Sequence, residues 1–160
     1  MGLGGSRKPR KTSPTASHPS QQARRRRVAA RKQARAAHIL VGELDAGARP
    51  ALGDVVRAMG YEVIAHHSLA DTLREATTGS FDVIVTSLPT LTEEKLRLLQ
   101  VLRRATPQVP LVIVTSDGSL EMRRRCQSAR PYYFTVRPLD ETELRTVLVG
   151  AVEKGASASS

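Results

Sequence analysis

Five short apolar runs, each followed by a segment of helical periodicity, constrain this 160-residue chain more than any other feature. The runs are Ile39-Leu40-Val41, Tyr61 to Ala65, Phe81 to Thr86, Leu111 to Val114 and Tyr132 to Val136. They are too short for buried helices and rich in β-branched residues, so they read as strands. Between them lie Leu52, Val55, Val56 and Met59 at helical spacing, Leu69 to Thr77, Glu93 to Arg104, Leu120 to about Ser128, and Glu141 to about Lys154. Pro50 is placed in the first turn of the first helix and Gly60 at its end. Asp140 is placed at the N-cap of the last helix, with Glu143 at its third position. Strands that are apolar throughout need cover on both faces, which calls for a doubly wound α/β parallel sheet. Functional groups in such sheets gather at the carboxyl ends of the strands, here Gly42–Asp45, Ser87–Thr90, Thr115–Asp117 and Arg137–Pro138.

Charge divides the chain in two. Before His38 there are 11 of the 25 basic residues and no Asp or Glu, leaving 14 basic against 15 acidic side chains in the rest. Residues 1–37 are therefore expected to be a disordered basic arm, 38–154 the folded domain and 155–160 a disordered tail. Within the arm, Ala23 to Ala37 are good helix formers, with repulsion along Arg24, Arg25, Arg26 and Arg27 opposing helix in isolation. Those four residues with Arg31, Lys32 and Arg35 are the candidates for sequence-independent contact with nucleic-acid phosphates or another anionic surface. Met1-Gly2 with Ser6 fits a myristoylation pattern, and an Arg-rich leader also fits a transit peptide. A solvated tail with no specific partner is the plain alternative. Cys126 is the sole cysteine, so no intrachain disulfide forms, and a cytoplasmic location is the expectation. No apolar run reaches the roughly 20 residues of a membrane helix.

The same positions resemble the receiver domain of two-component response regulators, over about Ile39 to Val152. Ile39-Leu40-Val41, Gly60-Tyr61, Phe81-Asp82-Val83-Ile84-Val85, Leu111 to Ser116 and Phe134-Thr135-Val136-Arg137-Pro138 fall at the separations of that family's motifs. The resemblance implies a flavodoxin-like sheet in the order 2-1-3-4-5, a cis bond at Arg137–Pro138, and a place in phosphorelay signalling. It also implies a site: an acidic pair that helps bind magnesium, an aspartate that takes the phosphoryl group, and a hydroxyl and a lysine that contact it. That chemistry needs clustered hard oxygen ligands and a carboxylate acceptor.

The sequence departs from that set. Ser87 stands at the phosphoacceptor position, Leu44 follows Glu43 in the acidic pair with Asp45 one place beyond, and Arg137 replaces the lysine. Thr115 is retained. A neutral hydroxyl gives no acyl phosphate, so the chain reads as a degenerate pseudo-receiver with no catalytic residues, metal or cofactor. Glu43 is expected to be solvated or paired with Arg137. His66 and His67 lack a ligand set and read as surface residues, and Cys126 as a helix residue. Thr115 and Phe134 match the family's switch pair, and Arg123, Arg124, Arg125 and Tyr133 mark the face that meets partners. The expected partner is another signalling protein, bound without aspartyl phosphorylation. Nucleic-acid contact through the arm is the alternative.

Overall fold

The structure is a computed structural model and describes Gly2, Gly4, Gly5, residues 21–23 and residues 36–158. Five strands, β1 (His38–Glu43), β2 (Glu62–His66), β3 (Val83–Ser87), β4 (Leu111–Thr115) and β5 (Tyr133–Val136), alternate with five helices. The helices are α1 (Leu52–Ala58), α2 (Leu69–Thr78), α3 (Glu93–Ala105), α4 (Leu120–Gln127) and α5 (Glu141–Ala158). The strands form one parallel sheet in the order β2-β1-β3-β4-β5.

Strict alternation along the central strands builds two cores. Ile39, Val41, Val83, Val85, Val112 and Val114 face one layer, where they meet Leu52 and Val56 of α1 and Leu144, Leu148 and Ala151 of α5. Leu40, Ile84, Leu111 and Ile113 face the other, against Leu69 of α2, Leu99 and Leu102 of α3, and Met122 and Cys126 of α4. Every residue of β3 and β4 is buried, as a strand covered on both faces requires. β2 and β5 are the edges.

Local capping fixes where the helices start. Ser68, Thr92 and Ser119 accept the backbone N–H of Asp71, Lys95 and Met122. Asp140 accepts the N–H of Glu143 at 3.1 Å, in line with its predicted role. The Glu143 carboxylate does not complete a reciprocal box; it accepts from Tyr133 Oη at 2.7 Å and Thr135 Oγ1 at 3.3 Å. Gly60 follows α1 at a φ of 97°, a left-handed turn that glycine takes without steric cost.

Four expectations change. Pro50 lies outside the first turn, because α1 begins at Leu52 after the cap residue Ala51. The final helix does not end at Lys154: it runs to Ala158, with Gly155 and Ala156 buried. Small size lets α5 pack onto the start of the sheet: a Cβ at Gly155 would stand 2.9 Å from the Asp82 carbonyl oxygen and 3.6 Å from Pro110 Cδ. The domain also starts earlier, since Ala37 is a buried member of the core and its carbonyl accepts the Glu62 N–H. Residues 21–23 are helical, within the arm for which disorder was expected. Among the described residues no helix is long and apolar enough to cross a membrane.

Candidate functional site

At the carboxyl ends of β1, β3 and β5 lies a pocket of about 310 Å³, lined by Glu43, Asp45, Arg49, Asp54, His67, Ser87 and Arg137 among others. The sheet places its parts directly: Glu43 and Ser87 are partners in the β1–β3 register, and Arg137 directly follows β5.

Ser87 is buried, and its hydroxyl is fully used. It accepts the N–H of Leu44 at 3.1 Å and that of Asp45 at 3.4 Å, and it points toward the Gly42 carbonyl at 3.5 Å. Ser87, which the resemblance aligns with the phosphoacceptor, is thus a neutral group that ties the end of β3 to the loop after β1.

Glu43 is also engaged. Glu43 Oε1 accepts the backbone N–H of Gly53. Ala51, the cap residue of α1, has no side-chain acceptor, so Glu43 supplies from β1 what the helix start lacks locally. A Cβ at Gly53 would stand 3.0 Å from Glu43 Oε1, and glycine leaves room for this contact. Of the two expectations for Glu43, solvation or pairing with Arg137, the pairing does not form: no ion pair joins them among the described residues. Leu44 packs partly against the α2–α4 core and brings no oxygen to the pocket. Asp45 does line it.

Thr115 is buried, donates to the Leu88 carbonyl at 2.7 Å and accepts the Asp117 N–H at 3.1 Å. Its hydroxyl braces the loop after β3 and does not line the pocket. Arg137 brings its side chain to the pocket while its N–H bonds the Thr115 carbonyl at 2.7 Å. The Arg137–Pro138 bond is cis, as the family resemblance implied, and Arg49–Pro50 is cis as well.

The three adjacent arginines of α4 separate. Arg123 lies over the Phe134 ring, 4.7 Å from its centroid. Arg125 reaches across to the Leu91 carbonyl at 2.6 Å and the Glu93 carboxylate at 2.7 Å, so it serves the fold and is not a free member of the outer face. Arg124 is exposed. Tyr133 is exposed on β5, and its hydrogen bond to Glu143 holds the phenol pKa above its ordinary value. His66 pairs with Glu75 at 3.2 Å. The arm residues Arg24, Arg25, Arg26, Arg27, Arg31, Lys32 and Arg35 lie outside the described residues.

Sequence reasoning missed Arg49, Asp54 and His67 as pocket residues. Asp54 sits in the first turn of α1 and His67 directly follows β2, so both belong to the carboxyl end of the sheet once the topology is known. The Glu43–Gly53 contact left no local signal, because its donor is a backbone group ten residues away.

No protein-family model matches the sequence. The transcriptional regulatory protein GlrR of Escherichia coli K12 is 25% identical over 123 residues, 77% of this chain and 28% of that protein. The DNA-binding transcriptional regulator NtrC of Rhizobium meliloti is 27% identical over 108 residues, 68% of this chain and 22% of that protein. The chain spans about a quarter of the length of these curated relatives. Among solved structures, a CheY-like response regulator receiver domain protein from Methanospirillum hungatei superposes with a TM-score of 0.66 at 17% identity, covering 76% of this chain and 97% of that one. The signal receiver domain of an HD domain-containing protein from Pseudomonas fluorescens gives 0.67 at 18% identity, with coverages of 77% and 99%. A pilus assembly-related protein from Burkholderia pseudomallei gives 0.66 at 23% identity, with coverages of 74% and 90%.

Proposed function

We propose, from the receiver fold that this chain shares with response regulators, that it is a regulatory docking module that works without aspartyl phosphorylation and without catalysis. The observation that carries this reading is the Ser87 hydroxyl, buried and bonded to the Leu44 and Asp45 amides where the family has its phosphoacceptor carboxylate. Glu43 supports it, since the remaining acid of the metal-binding pair is spent on the start of α1.

The partner in this reading is another signalling protein, bound on the surface formed by α4, β5 and α5. Arg124 and Tyr133 are exposed there, and Leu120 is 64% exposed at the start of α4. β5 is an edge strand, with no further strand paired to its outer side among the described residues. Affinity capture with the full chain tests the assignment. Wild type and Ser87→Ala should retain the same partner, and Arg124→Glu combined with Leu120→Ser should lose it. Full capture by that double variant would move the interface elsewhere.

A second reading is contact with nucleic acid, supported by the charge of residues 1–37, which hold 11 cationic side chains and no acidic ones. Binding of this kind falls steeply with salt because each neutralised phosphate releases counterions. Equal affinity at low and high salt would exclude it.

A further inference from the structure

A second feature lies at the end of the sheet opposite the pocket. In a parallel sheet all strands begin at one end, where the helices that precede them finish. At that end the last turn of α3, the loop into β4 and the loop into β5 enclose a groove of about 650 Å³. Gln100, Arg103, Arg104, Pro107, Ser128 and Arg130 line it, so its charged groups are three guanidiniums and no carboxylate.

The arrangement is held in place. Arg103 Nη1 donates to the Val109 carbonyl at 2.9 Å, which fixes its guanidinium across the loop. Gln100 Nε2 donates to Ser128 Oγ at 3.2 Å and joins the two walls. Arg130 has a φ of 48°, an uncommon conformation for a residue other than glycine. Burial and the nearby charge of Arg130 both lower the pKa of Arg103, so these like charges act on each other across the groove. No carboxylate comes within ion-pair distance of any of the three among the described residues. Like charges gathered without an acid are relieved by an anion.

We propose that the Arg103–Arg104–Arg130 groove binds the phosphate backbone of nucleic acid, adding a site on the folded domain to the contact proposed for residues 1–37. The topology puts the groove at the end of the sheet where the chain enters the domain. β1 begins at this same end, at His38, and β1 lies two strands from β4 and three from β5. At about 4.8 Å per strand, the chain therefore enters the domain roughly 10–15 Å from the strands that the groove loops feed. Guanidiniums match phosphate oxygens in charge and geometry. The lining has no aromatic side chain on which a base could stack, so contact is with the backbone and independent of sequence. A lipid surface fits less well, since a flat headgroup layer reaches into a groove less readily than a phosphate backbone does, and Val101, 41% exposed, is the only exposed large apolar residue that α3 offers to an acyl layer.

This inference deepens the nucleic-acid reading of the arm and rests on it in part, so the test separates the two. The full chain is titrated into a short fluorescent DNA duplex at several salt concentrations. Three proteins are compared: wild type, Arg104→Gln with Arg130→Asn, and Arg24–Arg27 all replaced by Gln. Asn tolerates the left-handed backbone at position 130, and Arg104 is exposed, so the groove variant keeps the wild-type unfolding midpoint. Its affinity should fall about tenfold or more at low salt, and the slope of log affinity against log salt should become shallower by about 2. A groove variant with wild-type affinity and slope overturns the proposal, and if the arm variant then loses binding, the arm reading stands alone. A loss confined to the groove variant leaves the groove and removes the arm. No binding by wild type overturns both. A groove variant that loses binding to phosphatidylserine vesicles but keeps binding to the duplex overturns the choice of nucleic acid.

Discussion

The Ser87 side-chain oxygen lies 3.1 Å from the Leu44 amide nitrogen and points at a second amide, that of Asp45, 3.4 Å away. One small hydroxyl therefore fastens the loop between β1 and α1 to the end of β3. Removing it in Ser87→Ala leaves these N–H groups short of an acceptor in a partly buried setting. The expected cost is about 1–2 kcal/mol of stability, read by denaturant unfolding. An unchanged midpoint would mean that the loop holds without this bond.

Glu43 and Gly53 form a second link of the same kind, from β1 to the first turn of α1. Glu43→Ala should destabilise the domain by about 1–2 kcal/mol, in the range of a lost helix cap. Glu43→Gln keeps an acceptor oxygen and should recover part of that. If both variants lost the same amount, the charge near the helix start would outweigh the hydrogen bond.

Arg124 and Arg125 are neighbours in sequence with different work. Arg125→Ala should lower stability by about 1 kcal/mol, because the partly buried Leu91 carbonyl loses its donor. The exposed end of the pair with Glu93 adds little to this figure. Arg124→Ala should be neutral within about 0.5 kcal/mol, as for other exposed substitutions. Equal effects at the two positions would contradict the assignment of Arg125 to the fold.

Cys126 is fully buried in the core between the sheet and α4. Burial pushes its thiol from the ordinary 9.0 up to about 11, against a smaller opposing effect of Arg125. The neutral thiol is favoured in the folded state, so its contribution is intact below pH 9 and is lost as pH rises toward about 11. Alkaline titration of unfolding should show stability falling in that window, and Cys126→Ser should flatten it. In the native state the thiol should resist alkylation at pH 8 and react at once in denaturant. Rapid native alkylation would place Cys126 at the surface.

Much of the fold was legible because its signals are local. Val83-Ile84-Val85 and Leu111 to Val114 are apolar on both strand faces, which demanded two covering layers. Asp140 announced its helix as a short polar side chain just before it. The two ends were misjudged because composition there is misleading. Gly155 and Ala156 are small rather than apolar, yet small size is what allows α5 to continue against the start of the sheet. At the site, Ser87 and Leu44 were readable as departures from the receiver pattern. What they do was not, because the partners of Ser87 and Glu43 are backbone amides brought together only by the tertiary fold. Arg125 looked like part of a cationic surface for the same reason: its partner at Leu91 is a carbonyl 34 residues away.

The claim that this receiver fold works without aspartyl phosphorylation is tested most directly by intact-mass measurement after incubation with acetyl phosphate and magnesium. The expected result is an unchanged mass, with no shift in the spectrum of the domain on adding beryllofluoride and magnesium. Ser87→Asp, measured alongside, should also stay unmodified or nearly so, since Leu44 still withholds a metal oxygen. A gain of one phosphoryl group by the wild-type chain, removed by hydroxylamine, would identify an acyl phosphate and contradict the account.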